Sequence, residues 1–144
     1  METKANDVLA IAKLYELRRD EKMRAARAWF IAEFAPQSAG DILQVLLGGA
    51  ESSAKYRMVT SYWDMAASFV NNGGLDEKLF VEANTEHIAV FAVIAPYLDE
   101  VRATFGETNY LRHLETLVRR IPDIEPVLER RRQLFARWRA AANG

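Results

Sequence analysis

The sequence predicts an all-α fold, a multi-helix bundle of about seven to eight helices around a central apolar helix at about residues 52–71. Three observations predict it. Apolar residues recur at helical spacing along most of the 144 residues, and no segment alternates apolar and polar side chains as a half-buried strand does. Stop and cap residues punctuate this pattern at short intervals, among them Gly48-Gly49, Asn72-Gly73-Gly74, Gly106 and Ile121-Pro122. The run at 56–80, YRMVTSYWDMAASFVNNGGLDEKLF, joins a nearly all-apolar helix, a double-glycine stop and a newly capped second helix.

Taken in order, Asn6 or Asp7 can cap a first helix reaching about Leu17, with Val8, Ile11, Leu14 and Tyr15 on one face. Asp20 can cap a second, to about Phe34, with Met23, Ala26, Trp29, Phe30 and Phe34 inward; one long helix through Arg18 and Arg19 is the alternative. Pro36 ends this region, because proline lacks an N–H and disfavours helix in the residue before it. Ser38 and Asp41 resemble a capping box for a short helix to about Leu47, stopped by Gly48-Gly49. The central helix follows, and Asn72-Gly73-Gly74 supplies the left-handed residue its end needs. Asp76 caps the next helix, with Leu75 and Phe80 placed as a hydrophobic staple. Thr85 opens a helix to Phe105 that Pro96 should kink. A helix from about Thr108 to Arg120 comes next. Asp123 then recaps a basic amphipathic helix at about 123–141, with Pro126 in its first turn. Short loops favour antiparallel neighbours, and nothing divides residues 1–144 into two domains.

Composition narrows the function classes. Half of the residues are apolar and 27% are charged, as in ordinary folded domains. There is no Cys, hence no disulfide, no thiolate metal site and no Cys nucleophile. The N-terminus lacks the pattern of an export signal, and the longest apolar stretch, at 88–98, is shorter than the roughly 20 residues a membrane span needs. The cytoplasm is the expected location. The net charge of −1 is unevenly spread: residues 1–34 carry +1, 35–111 carry −6 and 112–144 carry +4. This fits either helices pairing inside the fold or a basic patch for an anionic partner.

Two apolar stripes cover most of the central helix: Tyr56, Val59, Trp63, Ala66 and Val70, and Met58, Tyr62, Met65 and Phe69. A narrow polar stripe remains: Arg57, Ser61, Asp64, Ser68 and Asn71. A carboxylate enclosed there needs a partner. Arg102, beside Leu98, Val101 and Phe105, is the long-range candidate, which predicts a partly buried Asp64–Arg102 ion pair fixing the register of two helices. The functional alternative places Asp64 in a pocket with Ser61, Tyr62, Trp63 and Arg102.

The Trp63-Asp64 pair, the glycine stop, Leu75-Asp76, Pro96, Arg102 and the Tyr110-Leu111 helix together resemble an uncharacterised bacterial family of all-helical domains of unknown function, over about residues 10–120. In that family the acidic position is usually Glu, and some members carry a membrane-spanning segment ahead of the domain. Here it is Asp64, which has a shorter reach, and no such segment is seen. The resemblance implies an all-α fold and supplies no activity.

Other chemistry is weakly signalled. Neither His87 nor His113 has the Glu three residues earlier that a carboxylate-bridged metal bundle uses, so Glu82, Glu86 and His87 are expected to form a solvated first turn. No phosphate loop and no serine-nucleophile elbow is present. In the last helix Leu128, Leu134, Phe135 and Trp138 form an apolar stripe bordered by Arg130, Arg131, Arg132, Arg137 and Arg139, with Arg119 and Arg120 upstream. Arg130, Arg131, Leu134, Phe135 and Trp138 are the candidate interface.

No catalytic set and no cofactor are expected. The leading expectation is a protein-interaction or regulatory module that associates with itself or with another protein. The alternatives are a small-molecule sensor with an interhelical pocket, and contact with anionic membrane or nucleic acid through the basic helix. A near-neutral chain argues against a dedicated nucleic-acid binder.

Overall fold

The computed structural model describes residues 2–143, with side chains from Lys4 onward. Among them are nine α-helical segments and no strand: α1 (Glu2–Arg18), α2 (Glu21–Ala32), α3 (Ala39–Leu47), α4 (Glu51–Asn71), α5 (Glu77–Ala83), α6 (Glu86–Ile94), α7 (Leu98–Phe105), α8 (Arg112–Arg119) and α9 (Ile124–Asn143). A 3₁₀ turn, Ala95–Tyr97, joins α6 to α7 as one bent helix.

Asp20 decides between one N-terminal helix and two. Its carboxylate accepts the N–H groups of Lys22 (3.1 Å) and Met23 (3.3 Å), so α1 ends and α2 begins around it. The expected cap at Asn6 or Asp7 is corrected: α1 starts earlier, and both lie inside it. Asp7 is buried and caps elsewhere, accepting the Asp76 N–H at the head of α5 (2.9 Å). The expected inner face of α1 is corrected too. Leu14 is buried and Ile11 partly so, but Val8 and Tyr15 are 54% and 52% exposed. Polar contacts set the rotation of the helix: the Asp7 bond, the bond of Arg18 to Asn84, and the Tyr62 hydroxyl donating to the Leu14 carbonyl. They turn residues 7, 14 and 18 inward, which places Val8 outside.

Ser38 accepts the Asp41 N–H at the head of α3, and the Asp41 carboxylate accepts the Gln37 N–H, so the capping box is reciprocal but one residue wider than the simple form. The turn after α3 needs Gly48, where a Cβ would come within 2.6 Å of the Gln44 carbonyl oxygen. α4 packs most extensively against α2 and α8, and also against α3 and α5. Tyr56, Val59, Trp63, Ala66 and Ala67 are fully enclosed on it. Gly73, with φ 79°, closes α4. Leu75 and Phe80 are both buried as the staple requires.

A second helix is as enclosed as α4. Every residue of α6 from His87 to Ile94 is buried, between α8 and α9. Pro96 bends it, and because proline has no N–H the Ala92 carbonyl four residues back loses its helical partner. Arg132 of α9 supplies the replacement, donating to the Ala92 carbonyl oxygen at 2.8 Å. The helix expected from Thr108 is shorter: α8 begins at Arg112, after Leu111 takes a left-handed conformation (φ 56°).

Candidate functional site

The polar stripe of α4 serves the ends of neighbouring helices. Arg57 donates to the carbonyls of Leu46 (2.9 Å) and Gly48 (3.0 Å) at the end of α3. Asp64 accepts the Leu114 N–H in the first turn of α8 (2.9 Å). Asn71 donates to the His113 carbonyl and accepts from Arg120. Ser61 is exposed and at most touches its own helix, 3.4 Å from the Met58 carbonyl.

The expected Asp64–Arg102 ion pair is corrected. Arg102, buried on α7, donates to the Tyr110 carbonyl (2.9 Å) and to Glu115 (3.0 Å). The left-handed Leu111 turns the head of α8 so that its N–H groups face Asp64 and its Glu115 faces Arg102. Glu115 is missing from the sequence-based reading. It also accepts from Arg112 (2.8 Å) and Arg119 (3.4 Å), so three guanidiniums share one carboxylate. Asp64 and Ser61 do line an open surface cleft of about 360 Å³ with Arg57, Thr60, Tyr110 and Leu111.

Tyr62 and Trp63 face the other side of α4. The Trp63 indole N–H donates to Glu86 (3.1 Å), which also receives a bidentate Arg27 (2.8–3.1 Å). The hydrogen bond to Glu86 raises the Arg27 pKa further above its ordinary value. Arg27 Nη1 also approaches the Arg18 carbonyl (3.4 Å). The Arg18 guanidinium lies over both Tyr15 (5.3 Å) and Trp63 (5.5 Å) and donates to Asn84 (3.0 Å). In front of this layer is a cleft of about 450 Å³ lined by Tyr15, Arg18, Arg19, Arg24 and Arg27. The sequence carried a signal for it: basic residues at 18, 19, 24 and 27 on both sides of the Asp20 break.

The expectation of a solvated first turn in α6 is corrected. Glu86 is committed to Arg27, and His87 is wholly enclosed between Trp63 (5.7 Å) and Phe80 (5.2 Å) with neither ring nitrogen hydrogen-bonded. Burial, helped by the charge of Arg131, lowers the His87 pKa to about 4. Burial raises Tyr62 and Tyr110 to about 12, and Tyr110 bonds Tyr56 hydroxyl to hydroxyl (2.7 Å). Near neutral pH, burial holds all of these groups in their uncharged forms. Among the described residues no three His, Cys, Asp or Glu are grouped to hold a metal ion.

α9 divides its candidate residues. Phe135 is buried and Leu134 partly so; Trp138 stacks on Phe135 (5.6 Å) yet stays 45% exposed. Arg130 is exposed and Arg131 is partly covered, on the His87 side. The helix lies on α6 and α2. No helix among the described residues is long and apolar enough to cross a membrane.

An all-helical fold whose polar side chains mostly tie helix ends together, with an arginine-lined cleft at the α1–α2 corner, defines the class as a helical domain. Residues 4–121 match the family model DUF4760, a domain of unknown function, and the chain belongs to that family. The match covers α1 to α8 and stops before α9. No curated protein and no solved structure matches the chain.

Proposed function

We propose that the protein is a helical interaction module that self-associates through the outer face of α1, and that it works in the cytoplasm, since a chain without Cys needs no oxidising compartment to fold. The observation that carries this reading is the apolar strip on α1. Val8, Leu9 and Tyr15 are 54%, 68% and 52% exposed, and the small residues Ala5 and Ala12 lie among them on the same face. Clustered exposed apolar side chains of this size mark contact surfaces, whereas scattered ones do not. The strip lies on a helix already anchored from behind by Asp7, Leu14 and Arg18, so ordering it on a partner costs little entropy. A second copy is the occupant that fits. The chain carries a net charge of only −1, so two copies do not repel, and one strip meeting its twin gives a closed two-fold contact.

Light scattering on a sizing column tests this. The wild-type chain should run as a dimer. The charge-neutral double change Val8→Glu with Leu9→Lys should run as a monomer with unchanged helical circular dichroism. A wild-type monomer, or a dimer indifferent to the double change, overturns it. A dimer dissolved instead by Trp138→Ala with Arg130→Ala would place the contact on α9.

A further inference from the structure

We propose that the arginine-lined cleft at the α1–α2 corner binds a phosphate group. Four arginines, Arg18, Arg19, Arg24 and Arg27, line one opening together with Tyr15. Of these, Arg27 is neutralised by Glu86, which also holds the Trp63 indole. Asp20 accepts the N–H groups of Lys22 and Met23, and Glu16 lies 3.7 Å from Lys13. Among the described residues no carboxylate lies within ion-pair distance of Arg18, Arg19 or Arg24, so the cleft holds a surplus of positive charge.

The inner half of the cleft is built rigidly. Arg18 is held against Tyr15 and Trp63 and bonded to Asn84, and its Nε is buried without a hydrogen-bond partner. Arg27 is fixed by both oxygens of Glu86. Arg19 approaches Tyr15 (5.9 Å), and Arg19 and Arg24 are exposed at the mouth. The exposed Arg19 and Arg24, with Arg18 behind them, suit a compact, multiply charged oxyanion, because a free guanidinium fork can meet two oxygens and cannot lose its proton. A tetrahedral phosphate presents such oxygens in several directions. Enough of the roughly 450 Å³ then remains for whatever carries the phosphate.

The full chain, labelled with nitrogen-15, is titrated with inorganic phosphate, with tripolyphosphate and with vesicles of a neutral lipid containing a phosphate-monoester lipid. The readouts are the Trp63 indole N–H and the Arg18 and Arg27 Nε–H resonances, none of which belongs to a residue being altered. Saturable shifts that weaken with added salt are expected, tighter for tripolyphosphate than for phosphate. Arg19→Gln with Arg24→Gln removes only exposed side chains and should raise the Kd about tenfold or more. Arg130→Gln with Arg137→Gln on α9 removes the same charge and should leave it unchanged. A response to soluble phosphates makes the source a free metabolite. A response to vesicles alone, abolished by the Arg19 and Arg24 changes, makes it a lipid headgroup. No saturable shift with any of the three probes overturns the proposal, as does an equal loss in the α9 control.

Discussion

At the scale of single residues, the two carboxylates of the α4–α8 region have unequal weight. Among the described residues, Glu115 is the sole anion beside the buried Arg102 apart from the fully exposed Asp99, 4.0 Å away. Glu115→Ala leaves a buried guanidinium without its main partner and should cost about 3–5 kcal/mol. Asp64→Ala removes a cap-like bond from a partly buried position and should cost about 1 kcal/mol. Urea midpoints of the two variants check the order, and a larger loss for Asp64→Ala would reverse it. His87 sets a pH dependence. The unfolded imidazole takes a proton below about 6.5, while the folded one resists until about 4. Its contribution is therefore intact above pH 6.5, falls as pH drops, and is fully lost near pH 4, by about 3 kcal/mol. His87→Leu should remove that slope, and denaturant unfolding at pH 7.5 and 5 would show it. An unchanged slope in the variant assigns the acid sensitivity to other groups.

At the scale of elements, the bent α6–α7 rod shows how much was legible. Pro96 gave the kink and Gly106 its end, since both act through local backbone geometry. That α6 would be as enclosed as α4 was not read, because Glu86 and His87 look like a wet first turn until Arg27 and Phe80 are seen to cover them. Caps were legible where donor and acceptor are near in sequence, as at Asp20, Ser38 and Asp76. They were missed where the partner is distant, as for Asp7 with Asp76 or Arg57 with Leu46. The candidate site residues are divided for the same reason. Ser61 and Asp64 lie on one side of α4, Tyr62 and Trp63 on the other, and helical spacing alone does not say which neighbour each side meets. The tie between α9 and the kink gives an element-scale prediction. Arg132→Ala leaves the Ala92 carbonyl unpartnered in a partly buried place and should cost about 1–3 kcal/mol. Arg130→Ala, fully outside, should cost almost nothing, and equal losses would count against the tie.

At the scale of the whole molecule, the family match and the hydrophobic core end in different places. The match stops at residue 121, whereas Ile124, Leu128 and Phe135 of α9 belong to the core. A chain cut after Ile121 should therefore lose cooperative unfolding and bind the dye ANS, because α6 would be opened along one side. Retention of a sharp thermal transition would show that α1 to α8 suffice. Circular dichroism and dye fluorescence on the two lengths decide it.

The position of α9 in the chain also dictates an order of events during synthesis. It leaves the ribosome after every helix it covers, so α6 spends the interval of translation with an oily side bare. At about 5–20 residues per second, making the 20 residues of α9 takes one to a few seconds. Through that window the apolar side of α6 lacks the cover that α9 later gives it. The arginines of α9 then arrive as the final latch, with Arg132 closing on a carbonyl that proline left open earlier.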